Sequence, residues 1–328
     1  MWTFTPIYKR PIWGGTRLSA YKGDADTKGS IGESWEVSQV PGDISIVAEG
    51  PDKGLALDEL IARDPRSLLG RHVLARYGRR FPLLVKLIDA KTDLSIQVHP
   101  NDDMARGMGH PFGKNEMWMV LDAVPGARLA TGFLRPVLPA DLDRLVQTGE
   151  ITDTLRYSPV HSGSSFYIPA GRVHSIGAGI LVAEIQQTSD DTFRLYDYNR
   201  TDASGNRRQL HLEQARRAIN YADTGGLPLH YTTRPDASSA VCVSPHFAVS
   251  MLRATDRMQR CYCDLDSFVI IMCIGGEATL SADSGEMTLR RGHTVLLPST
   301  DGYLEILPRG RDEFRALEIY MPKNDCDS

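Results

Sequence analysis

At 328 residues the chain is too long for one ordinary core and comfortable for two domains. A formal net charge of −4, with 24% charged and 41% apolar residues, is an ordinary globular composition and excludes a global basic field for nucleic acid or an anionic membrane. No apolar run is long enough to span a bilayer, and Met1 to Pro6 lack a basic segment followed by an apolar one, so neither a membrane span nor a signal peptide is expected. The five cysteines (Cys242, Cys261, Cys263, Cys273 and Cys326) form no Cys-x-x-Cys pair, which predicts buried thiols in a reducing, cytoplasmic compartment.

Residues 1–50 read as short strands and turns, with Gly32 to Ser38 alternating like a strand and Trp13 and Trp35 expected in the core. Residues 55–78 change to helical spacing through Leu57, Leu60, Ile61, Leu68, Leu69, Val73 and Leu74, interrupted near Pro65, which predicts a pair of short helices. Phe81 to Ile88 is an apolar strand carrying one lysine, Lys86, read either as an anion-binding group or as a snorkelling edge lysine. Leu94 to Pro100 alternates at a period of two. Leu94, Ile96 and Val98 share an apolar face, and Ser95, Gln97 and His99 share a polar one.

A polar, Gly-rich loop is expected from Asn101 to Gly113. A strand follows from Lys114 to Leu121, with Lys114, Glu116 and Trp118 on one face. Residues 139–156 are helical by pattern: Pro139 opens, and Leu142, Leu145 and Val146 form a stripe. Strands return at Ser164 to Pro169 and Ile180 to Gln187, separated by a turn that delivers His174. Residues 211–222 form a short helix, and 224 to about 239 look like a linker. Short strands recur over 240–328: 241–252, 267–273, 277–281, 286–289, 294–297, 303–306 and 314–320.

Gln97, His99, Glu116 and His174 are the candidate metal ligands. Two imidazoles, a carboxylate and an amide oxygen suit Zn²⁺ or another borderline divalent ion. A lone strand histidine is more often a satisfied core residue; the case rests on order and turn chemistry together. Gln97-x-His99 followed by Glu116 on the next strand, then Pro169-x-Gly171-x-x-His174, resembles the two cupin motifs, with Gln97 where many cupins have a first histidine. The implied fold is mainly β: two cupin-like jelly-roll barrels (double-stranded β-helix) with short helical insertions. Residues 1–225 would be the metal-binding domain, with insertions at about 55–78 and 139–156. Residues 240–328 would be a second barrel without metal ligands, since neither Gly275-Gly276-Glu277 nor Arg291-Gly292-His293 has a ligand-x-His companion. That barrel offers a face for covering the first one or for an oligomer contact.

A longer resemblance rests on Leu94 to Pro100, Lys114 to Trp118 and Glu184 to Arg194. Together these are similar to a type I mannose-6-phosphate isomerase, and Trp13-Gly14-Gly15 with Gly32 to Glu36 resembles the compact bacterial branch. The likeness covers residues 2 to about 200. It implies a zinc-dependent aldose–ketose isomerase acting on a 6-phosphosugar, with one Zn²⁺ per chain. It also implies that Gln97, His99, Glu116 and His174 are ligands, that Arg194 is the active-site arginine, that Ser95, Lys114, Glu184 and Asp190 line the pocket, and that Lys86 and Arg200 receive the phosphate. Either Glu184 or Lys114 is the base. The rivals are another metal cupin enzyme (an epimerase or oxygenase) and a non-catalytic sugar-phosphate sensor. Arg194 and Lys114 speak against a redox cupin, and an intact ligand set speaks against a sensor. There is no GxGxxG or P-loop for a nucleotide.

Overall fold

The computed structural model describes residues 1–23, 29–202 and 204–323, so Cys326 lies outside the described residues. The fold is mainly β, and its strand pairings are antiparallel. Residues 7–196 supply two large sheets and a two-stranded one, Gln39–Val40 with Asp43–Ile44. A six-stranded sheet runs in the order Ile7–Lys9, Glu33–Val37, Leu83–Ala90, Ile180–Gln187, Glu116–Ala123 and Ser165–Ile168. A five-stranded sheet runs Phe193–Tyr196, Ile96–Val98, His174–Ile176, Arg128–Phe133 and Leu155–Pro159. Residues 237–320 supply a five-stranded and a four-stranded sheet of their own. No described helix is long and apolar enough to cross a membrane.

Several expected elements shift for local reasons. The strand expected over 94–100 is regular only at Ile96–Val98. The expected loop 101–113 contains a helix, Asp102–Gly107, because Asn101 caps it by accepting the Met104 N–H at 2.9 Å. The helical pair of 55–78 is three helices, Leu57–Arg63, Pro65–Leu69 and Arg71–Tyr77, with breaks at Asp64 and Gly70. The expected strand 241–252 is two, Ala237–Val243 and Ala248–Ala254, separated by a Ser244–Phe247 turn that contains Pro245. The strands Arg128–Phe133, Leu155–Pro159, Phe193–Tyr196 and Met258–Cys261 carry too little alternation to be seen in the sequence.

The two groups of sheets share a core. The largest apolar cluster joins Phe4, Phe81, Val85 and Met117 to Val241, Phe247, Phe268 and Ile319. Phe81 and Phe268 stack with ring centres 4.4 Å apart. Trp2 and Leu296 exchange both main-chain hydrogen bonds at 2.8 Å. The helical insertion is wedged at the same seam: Ser299 N–H donates to Leu68 O, and Arg71 N–H donates to Asp266 Oδ1. Gly70 is required here, because its φ is +87° and a Cβ would stand 2.0 Å from Asp266 O.

Two of the cysteine expectations fail. Cys242 and Cys273 are buried, but Cys261 and Cys263 are exposed, because Cys261 ends a strand at a sheet edge and Cys263 lies in the turn that follows it.

Since the core crosses the seam, Phe268→Ala should cost about 3–5 kcal/mol and leave one cooperative urea transition. Two separated transitions in the wild-type chain would show that the halves are independent.

Candidate metal centre

Register brings the site together. In the five-stranded sheet Gln97 pairs with His174 on one side and with Arg194 on the other, so the three side chains share a face. His99, two residues on from Gln97, continues that face. In the six-stranded sheet Lys86 pairs with Trp35 and Glu184, Glu184 pairs with Trp118, and Gln186 pairs with Glu116. The two faces meet: Glu116 Oε1 is 3.3 Å from His174 Nε2, and Glu116 Oε2 is 3.4 Å from His99 Nε2.

All three side chains are buried, and their potential ligand atoms lie within 4.8 Å of one another. Neither Glu116 oxygen has a hydrogen-bond partner. Burial by itself would raise the Glu116 carboxyl, but Lys114, His99 and His174 outweigh it and hold it well below the usual carboxylate range. Burial, then the Lys114 charge, pulls His99 down to about 4, and burial also lowers His174. The cluster therefore offers two neutral imidazoles and an uncapped carboxylate, the donor set of a divalent metal. Gln97 is beside it, but its amide nitrogen faces His174 Nε2 at 3.3 Å while its oxygen lies 3.3 Å from Ser95 Oγ. Metal ligation by Gln97 needs the amide turned so that the oxygen faces in.

Both imidazoles are oriented from behind. A carbonyl oxygen can only accept, so the 2.8 Å contacts of His99 Nδ1 to Asp191 O and of His174 Nδ1 to Arg172 O put the proton on Nδ1 and the lone pair on Nε2. Each of these carbonyls belongs to a residue whose side chain is itself held. Asp191 Oδ2 is 2.7 Å from His110 Nδ1. Arg172 grips Asp223 through Nε and Nη2 at 2.7 and 3.1 Å, and its Nη1 donates to Tyr167 O at 2.9 Å.

Lys114 is the cation nearest the ligands, with Nζ 3.2 Å from His99 Nε2 and 3.3 Å from Glu116 Oε2. Lys86 neither snorkels nor sits at an edge. It is buried in an interior strand, 3.2 Å from Glu184, 3.6 Å from Glu33 and over the Trp35 ring. Burial would pull its ammonium down, but Glu184 and then Glu33 outweigh that and hold it above the ordinary lysine range. Glu184 thus pairs with Lys86, and its Oε2 accepts the Trp118 Nε1–H at 3.0 Å. Arg194 is partly buried, and its charge is disfavoured first by burial and then by Arg208. Arg200 spends its donors on Asp197, Thr92 and Asp93, holding a loop. Ser95 is buried beside Gln97, whereas Asp190 is exposed on the rim of a groove of about 600 Å³ that also touches Arg80, His110 and Phe112. Sequence reasoning missed Asp191, Arg172, Asp223 and His110. Two of them act through main-chain carbonyls, which leave no mark on residue type.

Asp223→Asn removes the charge that holds Arg172 and should weaken metal binding by about tenfold, read by competition with a chromophoric chelator. A change in melting temperature without a change in metal affinity would make the pair merely structural. In the metal-stripped chain the unfolded state binds more protons than the folded one wherever His99 is neutral only when folded. Stability should therefore fall as pH drops from about 6.5 towards 4, as urea midpoints at pH 7 and pH 5 would show.

Comparison with known proteins identifies relatives of the chain. Residues 1–117 match the family model of the phosphomannose isomerase type I catalytic domain. The chain is 32% identical over 313 residues to mannose-6-phosphate isomerase of Streptococcus mutans, covering 93% of this chain and 96% of that one. It is 33% identical over 321 residues to mannose-6-phosphate isomerase ManA of Bacillus subtilis, with the same coverages. The crystal structure of the mannose 6-phosphate isomerase from Bacillus subtilis superposes with a TM-score of 0.85 at 30% identity, covering 97% of this chain and 98% of that one. The resemblance first carried by a few strands thus extends over nearly the whole length, and the chain belongs to the type I mannose-6-phosphate isomerase family.

Proposed function

We propose that the chain interconverts D-mannose 6-phosphate and D-fructose 6-phosphate through an enediol(ate), with one Zn²⁺ per chain held by Gln97, His99, Glu116 and His174. The observation that carries the reading is the convergence of two Nε2 lone pairs on a buried carboxylate with no hydrogen-bond partner. When bound, the ion supplies a Lewis acid for the sugar's O1 and O2.

The protein groups then divide the work. The reaction moves a proton between C2 and C1. Lys114 stands at the ligand cluster, whereas both oxygens of Glu184 face Lys86 or Trp118, so Lys114 is the favoured proton carrier and Glu184 fixes Lys86. Arg194, opposite Gln97 in the register, presents a forked cation to the developing oxyanion. Ser95 orients the Gln97 amide. Asp190, exposed on the groove rim, takes the family's pocket-lining role toward the sugar. Lys86 and Arg200 are the family's phosphate positions. Arg200 reaches that role as part of the clamped 197–200 loop, and Lys86 supplies fixed positive charge within the wall. Residues 237–320 are the metal-free unit that supports this wall across the shared core.

The assay is incubation with mannose 6-phosphate, with and without a chelator, following fructose 6-phosphate. Conversion should stop on chelation and return with added Zn²⁺; conversion indifferent to the chelator would sink the metal reading. Lys114→Met and Arg194→Ala should each lower kcat by about 10²–10⁴-fold with metal content unchanged by elemental analysis.

A further inference from the structure

The His99 imidazole is oriented by Asp191 O, and Asp191 stands in the turn between the strands Ile180–Gln187 and Phe193–Tyr196. A carbonyl acceptor orients a ring only as firmly as its own peptide is held. The start of the turn is pinned from outside: Thr188 N–H donates to Pro82 O at 2.9 Å, and Thr188 Oγ1 donates to Phe81 O at 2.7 Å. Past Thr188, the carbonyl of Ser189 is held by Gln186, whose Nε2 donates to it at 2.7 Å and to Gln187 O at 2.9 Å. Ser189 Oγ in turn accepts the Asp191 N–H at 3.3 Å. A chain of hydrogen bonds thus runs from Gln186 through Ser189 and Asp191 to His99 Nδ1.

Gln186 is fully buried, opposite Glu116 in the register and on the same face as Glu184. Both N–H groups of its amide meet carbonyl oxygens, which can only accept, so the amide cannot turn over. Its Oε1 is buried with no hydrogen-bond partner among the described residues. A bare buried acceptor is a cost that an apolar side chain of the same shape avoids. A residue kept for stability alone has no reason to carry that cost; a residue kept to hold the Ser189 carbonyl does.

We propose that Gln186 is a positioning residue of the metal centre. Through the Ser189–Asp191 turn it sets the tautomer and ring direction of His99, and thereby the affinity of the centre for its divalent cation. The inference rests on His99 being a metal ligand. With the Asp191 carbonyl displaced, nothing keeps the proton on Nδ1, and Glu116 Oε2 at 3.4 Å draws it to Nε2, where it blocks the lone pair a cation needs. The device is one-sided. His174 has a separate acceptor, Arg172 O, on a residue held by Asp223 and Tyr167. Loss of the Gln186 amide therefore reaches one imidazole and spares the other.

The test is Gln186→Met, close in length but without amide hydrogens. Long-range proton–nitrogen NMR spectra of the metal-stripped protein at pH 8 report the tautomer of each imidazole, and competition with a chromophoric chelator reports Zn²⁺ affinity. His99 should pass from Nδ1–H to Nε2–H, His174 should stay Nδ1–H, and Zn²⁺ affinity should fall about tenfold. An unchanged His99 overturns the proposal. So do two imidazoles that change together, since that would make Gln186 a general support of the fold. A His99 tautomer that changes while Zn²⁺ affinity stays intact leaves the positioning standing and strikes His99 from the ligand set instead. Should Gln186→Met fail to fold, Ser189→Ala removes the next link, and a His99 that keeps its Nδ1 proton there overturns the proposal.

Discussion

A carboxylate buried between two neutral histidines governs this molecule. Taking one ion out of water costs several kcal/mol even after relaxation, and neither Glu116 oxygen recovers any of that through a hydrogen bond. Its compensation is electrostatic: the Lys114 ammonium at 3.3 Å, beside two imidazoles that with Glu116 could hold a metal ion. A site of this kind keeps its geometry only if the donors cannot rotate away. That requirement explains why Glu116 stands on an interior strand of the six-stranded sheet, roofed by the face of a second sheet that carries both histidines.

The same demand propagates outward in layers. His99 and His174 are turned by main-chain carbonyls, and those carbonyls belong to residues fixed by His110 and Asp223. Behind the opposite wall, Lys86 and Glu184 neutralise one another and are closed in by Trp35 and Trp118. Charge is thus paired locally wherever it does not face the centre. Among the described residues Arg194 has no ion-paired carboxylate; it stays half-buried, opposite Gln97 in the register.

Among the described residues the last third of the chain contributes no ligand to that centre, yet it is not a separate body. Its apolar residues complete the cluster that backs the catalytic sheet, and the helices 57–77 are locked to it through Asp266 and Ser299. Its own buried carboxylate, Glu318, is fully satisfied by Arg260, Tyr262 and Ser238. The contrast with Glu116 is instructive: a carboxylate whose hydrogen bonds are met organises a wall, and one whose bonds are unmet marks a site.

Residue type and short-range periodicity determined much here. Period-two alternation placed Gln97 and His99 on one face, the Pro-x-Gly-x-x-His turn delivered His174, and the strand Ile180–Gln187 emerged with its bounds intact. These features are local, so the sequence carries them. Tertiary structure decided which charge meets which. Lys86 could be read as an anion site or a snorkelling edge residue, and became the buried partner of Glu184 because the register sets those two side by side. Cys261 and Cys263 were expected inside and lie outside, since whether the end of an edge strand and the turn after it are covered depends on what packs against them. Asp191 and Arg172 matter through their carbonyl oxygens, which every residue possesses. Register, facing and main-chain acceptance are properties of a neighbour's position, and a one-dimensional string holds the residues without holding their neighbours.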